Sequence, residues 1–383
     1  MQRADARIVL AAKSVRTFCY GYLGILLPLH LADLGVTASG IGASVTLTLV
    51  ASATLTWAVR RPAERYGART VLAALAALSL VSALLLLVAD RPALVVLAAM
   101  LGNIAVGVGE TGPFLALEQV VVARAVSRDG LTMASSIYHL AGYVAAALGA
   151  AAASLLPLRV LFVAFAVGAV LQVVVYARLR DAGRPVVARS GPIGALPSAP
   201  IIRRLAALFA LDSLAGGLVV QSLIAYWFHE RYGLQLQTLG PIFFASQLLS
   251  AASFLAAARL ASRIGLVNTM VSTHLLSNVF LIGIGLAPSA PLAVAMLLAR
   301  QLLSQMDVPT RQAYVMTVVE DHEREAASSA TNLSRTVAQA VAPTFAGYAM
   351  QGLAMSAPFV LGGILKIVYD VLLYASFRRI PPR

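Results

Sequence analysis

Nine ionisable side chains lie inside long apolar stretches of this 383-residue chain. The acids are Glu110, Glu118, Asp212, Asp307 and Asp370, and the bases are Arg300, Arg311, Arg335 and Lys366. These five acids and four bases nearly cancel, although the whole chain has 29 Lys and Arg against 16 Asp and Glu. A charge in an apolar medium is costly unless it is paired or faces a water-filled cavity. The set could therefore hold a proton, bind an ion or pair internally.

Three of the acids are candidate proton carriers, because burial favours the neutral form of a carboxyl group. These candidates are Glu110, Asp307 and Asp212. Asp212 has no base nearby in its own stretch, so proton handling and a partner from elsewhere in the fold stay open as alternatives. Gln221, in the same stretch, could line a cavity beside them.

Arg300, Arg311 and Arg335 could hold an anionic group through paired hydrogen bonds, which the planar guanidinium favours. An alternative is that acids and bases only neutralise one another, as Glu118 with Arg311 or Lys366 with Asp370. Lys366 and Asp370 stand four residues apart, on one face of a helix, and for them we favour the structural role. For Asp307 and Arg311, in Asp-Val-Pro-Thr-Arg-Gln, we favour function.

Composition indicates which elements position these groups. The chain is 60% hydrophobic and 12% charged, with a mean hydropathy of +0.84, whereas soluble domains are about 25% charged. Stretches of about 20 apolar residues predict membrane-crossing helices, here called spans. Twelve spans cover residues 8–31, 38–59, 70–89, 93–122, 131–154, 158–178, 201–228, 238–260, 266–287, 292–319, 326–350 and 357–377. The predicted fold is an all-α membrane protein with both termini on one side.

The basic residues predict the orientation. Twenty-two of the 29 lie in the tails and even-numbered connections, with six residues that fall within the span bounds assigned to the adjoining tail or connection: Lys13, Arg16, Arg178, Arg203, Arg204 and Arg259. Three lie in odd-numbered connections and four within spans. By the positive-inside rule, both termini are cytoplasmic. We therefore expect a multi-pass protein of the cell membrane, in a bacterium the plasma or inner membrane, rather than a nucleic-acid binder.

The longest connection, residues 179–200, is rich in Pro, Gly and Arg and predicts a cytoplasmic linker. It separates an N-terminal six-helix half, 1–178, from a C-terminal half, 201–383. Matching residues recur between the halves. A shift of 198 residues carries Gly35 and Gly42 onto Gly233 and Gly240, and Arg61, Arg65 and Gly67 onto Arg259, Arg263 and Gly265. The shared order and direction predict a parallel pseudo-twofold repeat.

The repeat also relates the intramembrane charges. At a shift of 197 residues Glu110 corresponds to Asp307 and Asn103 to Arg300, whereas at 193 Glu118 corresponds to Arg311. The four-residue difference, about one helical turn, predicts an extra turn or a break in span 4. Broken helices at membrane depth are typical of transporter binding sites.

The loop between spans 2 and 3 reads Arg-Arg-Pro-Ala-Glu-Arg-Tyr-Gly-Ala-Arg over residues 60–69. It resembles the cytoplasmic signature G-x-x-x-D-R-x-G-R-[RK] of the major facilitator superfamily of secondary transporters, with Glu64 in place of Asp and no leading Gly. A degenerate second copy of this signature, with Arg259 and Arg263, occurs in the second half, as is typical of the family. The loop could form a cytoplasmic gate from Arg61, Glu64, Arg65, Gly67, Arg259 and Arg263. The alternative is that these arginines only set topology.

This resemblance implies a monomeric transporter whose halves rock about a central site. Our first hypothesis is proton-coupled export of a small organic compound. The alternative is a symporter or exchanger for a small organic anion held by the arginines of spans 10 and 11. A sensor without transport is disfavoured, because the balanced intramembrane charges would lack a reason. We expect small-molecule, proton and lipid partners, no cofactor, no metal and no enzymatic activity, because motifs for phosphate binding, metal binding and hydrolysis are absent.

The family's antiporters often have a G-x-x-x-G-P-x-x-G-G pattern in span 5. Here span 5 has Gly142 and Gly149 but no Pro, and a fragment of the pattern occurs at Pro343 and Gly347 in span 11. The small residues of these two spans are expected either to mark an antiporter or to serve only close helix packing.

Overall fold

The computed structural model describes residues 2–105, 112–126, 131–180, 197–320 and 323–377, and within these ranges every regular element is helical. The helices are α1 Gln2–Asp33, α2 Ala38–Ala58, α3 Arg60–Val88, α4 Pro92–Leu101, α5 Pro113–Ala125, α6 Leu131–Leu155, α7 Leu158–Ala177, α8 Ala199–Gly217, α9 Gln221–Tyr232, α10 Leu236–Ile264, α11 Leu266–Leu286, α12 Ala290–Ser304, α13 Asp307–Val318, α14 Arg324–Gly352 and α15 Ala357–Phe377. The predicted all-α fold with twelve spans is confirmed. Glu110 and most of the predicted linker lie outside the described residues.

In the described parts of the chain, three of the twelve spans are each divided into two helices. Span 4 forms α4 and α5, span 7 forms α8 and α9, and span 10 forms α12 and α13. The break in span 4 is confirmed and begins at Gly102, whereas the other two breaks were not predicted from the sequence. Gly216 and Gly217 weaken the helix before the second break. At the third, Pro309 has no N–H to donate to the carbonyl oxygen of Gln305.

Eight described segments are long and apolar enough to cross a membrane. They include α2, α3, α6, α7, α10, α11 and α15, and the eighth is the pair α8 and α9. Many of their large apolar side chains are exposed, such as Leu155 and Leu84. Because a soluble surface rarely carries such wide apolar area, these faces indicate contact with lipid. The chain is thus a multi-pass membrane protein.

The chain forms two compact units. Unit 1 consists of Met1–Thr37, Ser44–Val187 and Ile224–Gln247, and unit 2 of Ala38–Ala43, Ala188–Leu223 and Leu248–Arg383. The core of unit 1 contains Phe114 and Tyr176 among aliphatic side chains. The core of unit 2 contains Phe209, Tyr314 and Tyr369. Each unit therefore has its own core, which positions the polar groups described below.

Small residues let helices approach closely within each unit. In unit 1, a Cβ atom added to Gly149 of α6 would lie 1.9 Å from the carbonyl oxygen of Phe18 in α1. In unit 2, one added to Gly217 of α8 would lie 2.6 Å from the Cβ atom of Ala342 in α14. The small residues of spans 5 and 11 thus serve close packing at these points.

The repeat is visible in the backbone of single glycines. Gly35 and Gly233 have φ angles of 81° and 68°, and Gly67 and Gly265 have 81° and 87°. These values lie in the left-handed region, which glycine adopts without strain. Each pair is related by the shift of 198 residues, so the two halves of the chain share local backbone geometry at positions where the sequence predicted equivalence.

Candidate functional site

The first buried polar centre lies in unit 1 and is called the Glu118 cluster: Glu118 of α5, Arg16 of α1, Tyr138 of α6 and Tyr176 of α7. Arg16 donates to Oε1 and Oε2 of Glu118 at 3.1 and 2.6 Å. Tyr138 donates to Oε2 at 2.6 Å and Tyr176 to Oε1 at 2.5 Å. Arg16 also donates to the Tyr176 hydroxyl oxygen at 2.7 Å. Both carboxylate oxygens therefore have two donors each.

Aromatic rings enclose the cations of this region. The guanidinium of Arg16 lies 4.3 Å from the centre of the Phe114 ring, and Nζ of Lys13 lies 4.0 Å from that of Tyr138. Both cations are buried within α1, so counting them with the cytoplasmic tail was wrong. The alternative pairing of Glu118 with Arg311 was also wrong, because Glu118 pairs with Arg16.

The second centre lies in unit 2 and is called the Asp212 cluster: Asp212, His274, Asp307, Arg311, Arg335, Lys366 and Asp370. Lys366 donates to Oδ1 of Asp212 at 2.6 Å. Nitrogens of Arg335 and Arg311 lie 3.2 and 3.5 Å from Oδ2. Asp212 therefore has tertiary partners from α13, α14 and α15, which its own span lacks.

Arg311 links two carboxylates. Within α13 its guanidinium donates to Asp307, one turn earlier, while it also forms an ion pair with Asp212. The Phe209 ring lies 5.5 Å from the guanidinium carbon, and the Tyr369 side chain is near enough to interact electrostatically with it. The helical spacing in Asp-Val-Pro-Thr-Arg-Gln thus places a carboxylate and a guanidinium together at the start of α13, beside the break in span 10.

His274 of α11 is a member of the cluster that was not predicted from the sequence. Its Nδ1 atom lies 2.8 Å from Oδ1 of Asp370, and Asn278 donates to Oδ2 of Asp370 at 2.9 Å. On the other side of the ring, Nε2 lies 3.4 Å from Nζ of Lys366 and 3.6 Å from Oδ1 of Asp212. A search of the spans for ionisable residues that included histidine would have found it.

The predicted pairing of Lys366 with Asp370 was wrong. Although the two residues are four apart in α15, Lys366 forms its ion pair with Asp212. Asp370 forms its pair with His274. Both side chains project from α15 towards groups on neighbouring helices, so the i, i+4 rule for exposed helix surfaces did not decide the partner.

Other predicted site residues lie apart from these ion pairs or at their edge. Arg300 of α12 donates to Oε1 of Gln301 at 2.9 Å, while its buried Nε atom has no hydrogen-bond partner among the described residues. Arg300 is near enough to Asp212 and Asp307 to interact electrostatically with both. Gln221 is buried at the start of α9, immediately after the break in span 7.

The charged residues of the predicted gate lie at the surface of their units, whereas Gly67 is buried. Arg61, Glu64 and Arg65 are exposed near the start of α3, where the backbone bends at Gly67. Arg259 and Arg263 are exposed in the last turns of α10. Their role as a gate stays a prediction.

The two clusters use equivalent positions with exchanged charges. In unit 1 the acid Glu118 meets Arg16 of the first helix, whereas in unit 2 the base Arg311, at the position equivalent to Glu118, meets Asp212 of the first helix. Tyr176 and Tyr369, which contact the two pairs, are also related by the shift of 193 residues. Among the described residues, the Asp212 cluster and the adjacent Arg300 have three carboxylates against four fixed cations.

Excess positive charge in a buried site attracts anions. A buried imidazole between carboxylates can take up a proton at neutral pH. The Asp212 cluster could thus bind an anion and a proton. In the part of the chain that the structure describes, no group of three or more His, Cys, Asp or Glu could hold a metal ion.

Comparison with known proteins identifies relatives of the whole chain. A sequence model described as Major Facilitator Superfamily matches residues 9–343. "Uncharacterized membrane protein YJR124C" of Saccharomyces cerevisiae is 23% identical, over 97% of this chain and 94% of the relative.

Solved structures with a similar fold include the human organic anion transporter MFSD10 (TETRAN), with a TM-score of 0.70, 18% identity and coverage of 97% of this chain and 99% of that one. The nucleoside transporter NupG gives a TM-score of 0.75, 14% identity and coverage of 98% and 99%. The D-xylose-proton symporter gives 0.75, 12% identity and 98% of both chains. At these identities the likeness describes the fold.

Proposed function

Because the chain belongs to the major facilitator superfamily of secondary transporters, we propose that it moves a small organic compound across a membrane by alternating access, coupled to protons. The halves 1–178 and 201–383 would rock about a central site, joined by the linker 179–200. The termini would be cytoplasmic and the protein monomeric. Neither a cofactor nor an enzymatic reaction is part of this proposal.

The observation that carries the proposal is the Asp212 cluster. Several charges are buried together in unit 2, and the side chain of Arg335 is 25% exposed. Burying an ion pair is not in itself a gain in stability, so a cluster of this size needs another reason. Binding and release of charged species is such a reason, because the buried side chains of the cluster can then exchange partners without leaving a charge unpaired.

For the direction of transport we propose export as the first candidate. Its support is the resemblance of the Pro343 and Gly347 fragment in α14 to the antiporter pattern. An inward proton gradient would then drive the compound outward. Glu110, Glu118 and Asp307 are the further carboxyl groups that the sequence suggests for substrate or proton binding.

The second candidate is a symporter or exchanger for a small organic anion. The surplus of cations around Asp212 favours it, since the partly exposed Arg335 and the incompletely paired Arg300 could each donate to an anionic group. The structural neighbour described as an organic anion transporter supports the same class of substrate.

Proton movement tests the proposal even before the substrate is identified. The purified protein is reconstituted into liposomes that contain the pH indicator pyranine, and probes of different charge are added outside. We would use p-aminohippurate and succinate as anions, ethidium as a cation, and uridine and xylose as neutral compounds. Movement of protons with an anion supports the second candidate, and exchange against the cation or a neutral compound supports the first.

Single variants identify the groups involved. Asp307→Asn should stop proton coupling if this carboxyl group carries the proton, and Glu110→Gln tests the equivalent residue of the first half. Intact coupling in both variants would rule out these two acids as carriers. Loss of anion binding in Arg311→Gln, with the other probes unaffected, would favour the second candidate. If no probe moves protons through the unaltered protein, the proposal fails for these substrate classes.

A further inference from the structure

We propose that the coupling proton binds to the imidazole of His274, in the slot between Asp370 and Asp212, and that it is taken up together with an anionic substrate. This inference rests on the proposed transport function and assigns the proton to a residue outside the predicted carriers. It also names the class of substrate whose binding the proton assists.

The positions of the carboxylates around His274 carry the inference. Oδ1 of Asp370 lies 2.8 Å from Nδ1, and Oδ1 of Asp212 lies 3.6 Å from Nε2, on the opposite side of the ring. An ionised carboxylate can only accept hydrogen bonds. With Asp370 ionised, the Nδ1 atom therefore carries the hydrogen of the neutral ring, and Nε2 is the atom that receives a further proton.

The neutral and the protonated ring fit this slot differently. In the neutral state Nε2 accepts from Nζ of Lys366, which lies 3.4 Å away and also donates to Asp212 at 2.6 Å. A proton on Nε2 removes the acceptor and turns an N–H group towards Asp212. The ring then lies between two carboxylates, as an imidazolium favours, while Lys366 keeps only its bond to Asp212.

The other acids of the cluster are committed to fixed cations. Asp212 faces Lys366, Arg335 and Arg311, and Asp307 forms its pair with Arg311. Arginine stays protonated in proteins, so the guanidinium charges that face these two carboxylates do not change with pH. Histidine is the side chain whose charge changes between about pH 5 and 8. A proton can therefore bind to the Asp370–His274 pair with less rearrangement of ion pairs than at the other acids of the cluster.

Every neighbouring helix contributes to the electrostatics of the ring. Asp370, Lys366 and Tyr369 of α15 contact it, the last with ring centres 5.7 Å apart. Asp212 of α8 faces Nε2. Arg300 of α12, Arg311 of α13 and Arg335 of α14 act on Asp212, which faces the ring, and Asp307 of α13 pairs with Arg311.

The shared carboxylate connects the proton to the substrate. When His274 is protonated, it competes with Arg335 and Arg311 for Asp212, and the guanidinium groups become available to an anion. Conversely, an anion on Arg335 adds negative charge that favours the imidazolium. By linkage, each ligand raises the affinity of the other by the same factor. A cationic substrate would have the opposite effect.

Proton binding by His274 can be measured directly by NMR. A variant in which the other four histidines, His30, His139, His229 and His322, are replaced by Gln reports this ring alone. With labelled histidine in lipid nanodiscs, its Cε1–H signal is recorded from pH 5 to pH 9, and we expect the signal to shift as the ring takes up a proton. Asp370→Asn should weaken proton binding at least tenfold. Asn278→Ala, which leaves the carboxylate in place, should change it less than threefold.

A signal that is constant over this pH range, or an unchanged midpoint in Asp370→Asn, would overturn the assignment of the proton. The substrate class has a separate readout. Added p-aminohippurate should raise the proton affinity of His274, and ethidium should not. If the ring titrates but p-aminohippurate has no effect, the anion linkage is wrong and the proton site stands. Because neither measurement requires transport, failure of the liposome assay alone leaves this result intact.

Discussion

The Glu118 and Asp212 clusters occupy equivalent parts of the two units, yet they differ in how completely their charges are satisfied. Glu118 has one guanidinium and two phenol groups on its two oxygens, and both it and Arg16 are fully buried. In the Asp212 cluster, three carboxylates share a larger number of donors, and Arg335 is partly exposed.

This difference distinguishes a cluster that holds helices together from a cluster that can bind a ligand. A carboxylate whose acceptor sites are filled has no free site for another donor, so the Glu118 cluster as it stands holds α1, α5, α6 and α7 together. Surplus donors in the Asp212 cluster can accept an anion, and its imidazole can accept a proton. One repeated scaffold therefore supports a structural pair in unit 1 and a candidate transport site in unit 2.

The largest effect on stability is expected from Arg16→Leu. It leaves Glu118 ionised and buried without its cation, and breaking a buried pair costs about 3–5 kcal/mol. The double variant Arg16→Leu with Glu118→Leu should recover part of that loss, because no uncompensated charge remains. Thermal unfolding in detergent measures both. Arg335→Leu is the matched control in unit 2, and a loss as large as that of Arg16→Leu would contradict the comparison.

The largest effect on transport is expected from Asp212→Asn. Loss of the carboxylate removes the common partner of Lys366, Arg335 and Arg311, so proton movement with an active probe should fall at least about tenfold, or about 1.4 kcal/mol in the barrier. Glu118→Gln, compared at equal amounts of folded protein, should retain most of the rate. Equal loss in the two variants would mean that both clusters take part in transport.

A smaller change is expected in anion binding by Arg335→Gln. A hydrogen bond to a charged group contributes about 1.5–3 kcal/mol, so the dissociation constant for p-aminohippurate should rise about 10- to 100-fold. Lys13→Met removes a buried cation of unit 1 and should leave this constant unchanged. Isothermal titration calorimetry distinguishes the two variants, and equal weakening would place the anion near both.

The smallest effect is expected from alanine at the repeated glycines. Gly265→Ala forces alanine into a positive-φ extended conformation (φ 87°, ψ 162°), which costs about 1–3 kcal/mol, and no described atom lies within 4 Å of the added methyl group. Gly67→Ala has the same backbone strain at a buried position, so it should lower the unfolding temperature at least as much. Unfolding temperatures unchanged in both variants would argue against a shared bend.

Much of the scaffold could be predicted from hydropathy and residue matching. The twelve spans and the break in span 4 were correct because length, apolarity and the change in repeat shift are local or periodic signals. The breaks at Gly217 and Gln305 were missed, since each depends on a few residues within an otherwise apolar stretch. The glycines of the repeat were matched without any coordinates, and their φ angles agree.

The charges show the limit of such prediction. Their presence in the spans was evident from the sequence, but Glu118, Lys366 and Asp370 were given the wrong partners. Pairing depends on which helices are neighbours and on which of their faces meet. The sequence of a single helix predicts neither, because its i, i+4 spacing indicates only contacts within that helix. His274 acquires its place between two carboxylates only when α8, α11 and α15 pack together.

The sequence by itself therefore determined the class of the protein, the number of its spans, its internal repeat and the set of buried charges, because lipid imposes length and apolarity on every span. Only the tertiary structure decided which charges meet. A buried carboxylate is stabilised by the cations that reach it from other helices. Glu118 therefore forms an ion pair whose acceptor sites are filled, and Asp212 is the centre of a network with surplus donors.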